Sequence, residues 1–66
     1  MRFKTVTLTD AERVRDARER LEMTQIEFAK EFGTSRRSVI EYEQGRTTVP
    51  RSLLMLIDFK LKERRR

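Results

Sequence analysis

Arg36 and Arg37 stand side by side after Thr34 and Ser35, and Ile40, Glu41 and Gln44 follow them at three- and four-residue spacings. On a helix turning 100° per residue these five side chains share one outward face, while Val39 and Tyr42 point to the opposite side. An arginine fork can pair with a phosphate, or hold guanine O6 and N7 with two hydrogen bonds. Two cations in the first turn of a helix lie near the positive end of its macrodipole, where they are slightly unfavourable in isolation. That local conflict calls for an external anion, and a phosphate-lined groove supplies one.

Other chemistries are poorly served. The chain has no cysteine and no histidine, which removes disulfides, thiolate chemistry, ordinary zinc sites and every histidine-based triad or general base. A carboxylate-only metal site is formally open but unsupported, so the expectation is a non-enzyme without metal or cofactor. Lysine and arginine number 16 against 11 acids, a net charge of +5. The excess lies in the later part of the chain, whereas Asp10 to Glu31 is acidic on balance. A basic surface suits a polyanion, although abundant charge also keeps a small helical domain in solution. No stretch approaches a membrane span or the apolar core of a signal peptide, which predicts a cytoplasmic protein, nucleoid-associated if its polyanion is DNA. Sixty-six residues read as one domain with a marginal core, and a homodimer is expected to add apolar cover.

The elements that must position Arg36 and Arg37 are marked by caps and stops. Residues 1–9 contain Phe3, Val6 and Leu8 among threonines and read as an extended arm or short strand. Thr9 with Glu12, and Thr24 with Glu27, are capping boxes that satisfy unpaired backbone NH groups at a helix start. The first box opens a helix running to about Leu21, with Val14, Ala17 and Leu21 inward. The second opens a short helix with a stripe of Ile26, Ala29 and Phe32, joined by Phe28 and stopped by Gly33. Thr34 or Ser35 then caps a third helix that runs to Gln44 and ends at Gly45. Two short helices joined by a tight glycine-containing turn form a helix-turn-helix. "RTTV" is a connection, and Pro50 sits near the first turn of a fourth helix through "RSLLMLIDFKLKE". Residues 10–61 thus form the helical core and 62–66 a basic tail.

The stretch "MTQIEFAKEFGTSRRSVIEYEQGRTTVPRSLLMLI" resembles the lambda-repressor/Cro (XRE-type) helix-turn-helix family over roughly residues 11–59. The resemblance rests on "TQ" opening the second helix, "FA" within it, the turn glycine, "S..SV..YE.G" in the third helix and a proline before the next. It implies an all-α fold of four, at most five, helices with an extended N-terminal arm; the fifth helix of phage repressors is not expected. It also implies double-stranded DNA, in the form of a palindromic operator, as the partner, and repression of transcription as the outcome. Position by position, Gln25 matches a phosphate-clamping glutamine at a helix start, and Arg36 and Arg37 match base readers in the major groove. Glu41 either accepts from cytosine N4 or only orients Arg37. Ser35, Ser38 and Gln44 resemble backbone contacts, and Arg46, Thr47, Thr48 and Arg51 flank the phosphate chain. Arg18 and Glu43 match a partly buried structural ion pair. Ile40 departs from the family, which commonly has a polar residue there; it touches a thymine methyl, packs on a partner, or is simply exposed.

In the fourth helix Leu53, Leu54, Ile57 and Leu61 occupy one arc, while Met55 and Phe59 point nearly opposite with Leu56 at the margin. A helix apolar almost all round must be covered on both sides. The second cover is either the arm or the same face of another subunit, and a two-fold dimer would set two reading helices about 34 Å apart, one DNA turn. "RRR" reads as a solvated tail, or as sequence-independent phosphate attraction. A competing class is an antitoxin-type module that binds a protein partner and uses the same motif for autoregulation. The short ends, which offer no long partner-binding extension, argue against it.

Overall fold

A computed structural model describes residues 8–64 of the chain. Most of the arm, with Phe3 and Val6, lies outside these residues, as do Arg65 and Arg66 of the basic tail. The elements are α1 (Asp10–Arg20), α2 (Gln25–Glu31), α3 (Arg36–Gln44) and α4 (Arg51–Arg64). Both capping boxes form. The Thr9 hydroxyl accepts from Glu12 NH at 3.1 Å while the Glu12 carboxylate accepts from Thr9 NH at 2.9 Å. Thr24 and Glu27 repeat the exchange at 3.1 and 2.8 Å. Ser35, not Thr34, caps α3 and accepts from Ser38 NH at 3.1 Å.

The ends of α1, α2 and α3 use one device. After each, a residue turns left-handed and the next NH reaches a carbonyl five residues back: Met23 to Arg18 at 3.1 Å, Thr34 to Ala29 at 2.9 Å, Arg46 to Glu41 at 3.0 Å. The left-handed residues are Gly33 (φ 69°) and Gly45 (φ 73°) in two cases, but Glu22 (φ 58°) in the first. Glycine adopts that conformation without penalty, and glutamate does not.

Helix α3 packs on α1 and α2, and α4 closes over α1. Val14, Ala17, Phe28, Ala29, Val39, Val49, Leu53 and Ile57 form the buried cluster, with Met23, Phe32, Tyr42, Leu54 and Leu61 packed around it. Every helix therefore gives a stripe to one core, whose burial is the main stabilising force. The rings of Phe28 and Phe32 lie 4.4 Å apart and tilted, a favourable aromatic geometry.

One expectation needs correction. Ile26 is 51% exposed and leaves the stripe assigned to it. Phe28, Phe32 and Ala29 define the inward arc of α2, and Ile26 falls about 110° from its centre at 100° per residue. The connection between α3 and α4 forms as read, and within it Val49 is buried in the core cluster and ties this path to the core.

Ion pairs fasten the outer helix. Arg13 reaches Asp58 at 3.3 Å and Lys60 reaches Glu31 at 2.6 Å. The Lys60 ammonium is held above its ordinary pKa, first by the hydrogen bond to Glu31. Arg64 donates to the free Leu21 carbonyl at 3.1 Å and lies 3.7 Å from Glu22.

Candidate nucleic-acid interface

The sequence Ser-Arg-Arg-Ser starts α3 with its cap, so Arg36 and Arg37 occupy the first turn and are exposed. Val39, fully buried one turn along, and Tyr42, half-buried behind it, hold the back of the helix to the core. The outward placement of the two arginines follows from that anchoring and the helical period. Gln44 is exposed, whereas Ile40 is half-buried at the rim of this face.

Glu41 has two intramolecular partners. Its carboxylate lies 3.7 Å from Arg37 Nε, one turn back, and accepts from the Thr47 hydroxyl at 3.2 Å. The Arg37 side chain remains 88% exposed, so the pairing steers the guanidinium without hiding it. At the N-terminal end Ser35 donates its hydroxyl to Ser38 Oγ at 3.1 Å. The Ser38 hydroxyl proton is thereby left free to donate, while Ser35 is occupied as the cap. Arg46, Thr48 and Arg51 are exposed on the loop and at the start of α4.

Gln25, the first residue of α2, is half-buried and donates Nε2 to Glu43 Oε1 at 3.4 Å. Glu43 binds Arg18 through two contacts, Nε to Oε2 at 2.6 Å and Nη2 to Oε1 at 3.1 Å. The side chains are 18% exposed for Arg18 and 3% for Glu43. Arg18 also donates to the Met23 carbonyl at 3.2 Å. Hydrogen bonding to Glu43 raises the Arg18 pKa above its ordinary value, against the opposing effect of burial.

Three of the residues singled out from the sequence, Gln25, Glu43 and Arg18, thus meet in one network, and Arg37, Glu41 and Thr47 meet in another. Sequence reasoning missed Arg15, whose Nε lies 3.9 Å from Glu43 and whose side chain is 64% exposed. Its three-residue spacing to Arg18 on α1 was the available signal. It adds a cation beside Gln25's carboxylate partner. Met55, Leu56 and Phe59 form a separate apolar stripe on α4, exposed by 65%, 51% and 61%. Among the described residues no helix is long and apolar enough to cross a membrane.

Comparison with known proteins agrees with this geometry. A 39-residue stretch is 51% identical to a protein of Archaeoglobus fulgidus named "Putative HTH-type transcriptional regulatory protein" and covers 59% of this chain. The match spans 13% of that relative's length. No solved structure matches the chain. A protein-family model described as helix-turn-helix matches residues 14–58, from the first core valine to the middle of α4. The chain belongs to the helix-turn-helix family of the lambda-repressor/Cro (XRE) type.

Proposed function

We propose that this protein is a sequence-specific double-stranded DNA-binding regulator that lays α3 in the major groove and represses transcription by occupying an operator. The observation that carries the reading is the exposure of Arg36 and Arg37 in the first turn of α3 while Val39 behind them is fully buried. The N-terminal residues of such a helix reach base edges. Arg36 and Arg37 take guanine edges, with Ile40 positioned for a thymine methyl. Glu41, engaged by Arg37 and Thr47, sets the approach of Arg37 more than it reads a base itself. Gln25, Ser35, Ser38, Gln44, Arg46, Thr47, Thr48 and Arg51 line the phosphate chains. Phosphate contacts with release of counterions supply most of the affinity, and α3 supplies the choice of sequence. The relative's description as a transcriptional regulatory protein supports the regulatory role.

Selection of bound fragments from a random duplex library tests the proposal directly. A defined consensus is expected, and recovery of unenriched sequence would remove the specificity claim. Arg37→Ala should weaken binding to that consensus by about 1–3 kcal/mol and flatten preference at one base pair. Gln25→Ala should instead weaken all duplexes alike. Equal losses for Arg37→Ala on consensus and random DNA contradict its assignment as a reader.

The exposed stripe on α4 supports a symmetric dimer on a palindromic site, since an isologous seam needs only one self-complementary apolar face. Met55→Glu with Phe59→Lys should give monomers in sedimentation and lose cooperative binding to a two-half-site duplex. An unchanged dimer moves the seam elsewhere.

A further inference from the structure

We infer that Glu43 is a positioning residue for the phosphate grip: its buried carboxylate orients the Gln25 amide, so the Arg18–Glu43 pair serves DNA affinity through Gln25 as well as stability. The inference rests on the DNA-binding reading above.

The carboxylate of Glu43, on α3, receives donors from two other helices. Arg18 of α1 takes both oxygens, at 2.6 and 3.1 Å, and Gln25 at the start of α2 shares Oε1 at 3.4 Å. An ionised carboxylate only accepts, so it can engage only the nitrogen end of the Gln25 amide. One N–H is consumed inside the protein and the second remains to donate outward. A glutamine without such a partner samples both faces of its terminal amide, because that torsion is broad and roughly two-fold. In one of the two it would turn a carbonyl oxygen toward an anion. The two-point grip of Arg18 fixes the carboxylate, and the carboxylate in turn selects the amide face. Arg18 also holds the Met23 carbonyl at 3.2 Å, just before the Thr24 cap, so the same guanidinium fixes the backbone entering α2. A neutral amide at position 43 could accept or donate and would lose the selection.

The experiment is a double-mutant cycle on the full chain. Gln25→Ala is combined with Glu43→Gln and, separately, with Arg18→Met/Glu43→Leu. The latter replaces the ion pair by apolar side chains of similar volume, an exchange that often leaves stability unchanged or improved. Affinity for a random-sequence duplex is read by fluorescence anisotropy, with thermal melting in parallel. Gln25→Ala should weaken the wild-type chain by about three- to ten-fold, the scale of one lost hydrogen bond. It should cost less than about two-fold in either altered background, where the amide has already lost its orientation. A role in stability alone would leave the Gln25→Ala loss at full size in any folded background, and that result overturns the inference. An NMR measurement needs no DNA: the Gln25 side-chain amide protons should be widely separated in shift in the wild type and collapse toward free-glutamine values in Arg18→Met/Glu43→Leu. Unchanged resonances also overturn it. Absence of any saturable wild-type binding to duplex DNA defeats the DNA-binding reading and this inference together, whereas a full-size Gln25 effect in the altered backgrounds defeats only the coupling.

Discussion

Replacing Phe28 by alanine is expected to leave most of the protein unfolded at ordinary temperature. Phe28 leads the largest fully buried side chains, sits at 0% exposure, and packs against the tilted ring of Phe32 with centroids 4.4 Å apart. Truncating a buried phenylalanine costs about 3–5 kcal/mol, part transfer and part cavity. Collapse into the void is hard here, because the surrounding cluster draws on all four helices. Against this, a 66-residue chain has roughly 3–10 kcal/mol of stability at the usual value per residue. The loss and the reserve are thus of similar size. Circular dichroism should show the melting midpoint lowered by at least about 12 °C, taking 4–8 °C per kcal/mol for so small a domain. A variant melting within a few degrees of the wild type would show that the α2 face does not carry the core.

The second large effect is Arg18→Met, expected to destabilise by about 2–4 kcal/mol. Removing one partner of a buried pair typically costs 3–5 kcal/mol because the other charge is left uncompensated. The figure is reduced here because Arg18 keeps 18% exposure and Arg15 stands 3.9 Å from the same carboxylate. Restoring neutrality with Glu43→Leu in the same chain should recover most of the loss. Urea unfolding midpoints compare the three proteins. A single mutant as stable as the wild type would mean that water or Arg15 already compensates Glu43, and would remove the pair from the stability account.

Much of this architecture is legible because its punctuation is local. A threonine three residues before a glutamate specifies a helix start through two hydrogen bonds that involve nothing else in the chain, and both boxes formed where the spacing put them. Gly33 and Gly45 mark stops for an equally local, torsional reason. The outward face of α3 follows from period alone once Val39 is assigned to the core. Distant contacts are less readable. Period and composition allow Ile26 a place in the core, yet its burial depends on which arc of a two-turn helix meets the other three. Val49 carries no periodic signal, yet it is buried in the core cluster. The Gln25–Glu43 hydrogen bond spans 18 residues, and Lys60–Glu31 joins two helices with no shared pattern. Arg18 with Glu43 was found by family likeness, since nothing in their spacing demands a contact. The Arg37–Glu41 approach was accessible because i,i+4 charges on a helix are neighbours, though the addition of Thr47 was not.

The glutamate that stands where the other two helix ends use glycine has a further implication. Glu22 holds its backbone at φ 58° against a preference of roughly 1–2 kcal/mol for right-handed geometry, in the connector between α1 and α2. Its weak offsetting tie to Arg64, at 3.7 Å with 80% of the Glu22 side chain exposed, is a surface contact worth little. The fold therefore carries unused thermodynamic headroom in the connector between α1 and α2, and a protein engineer could raise its tolerance of heat there with a single glycine.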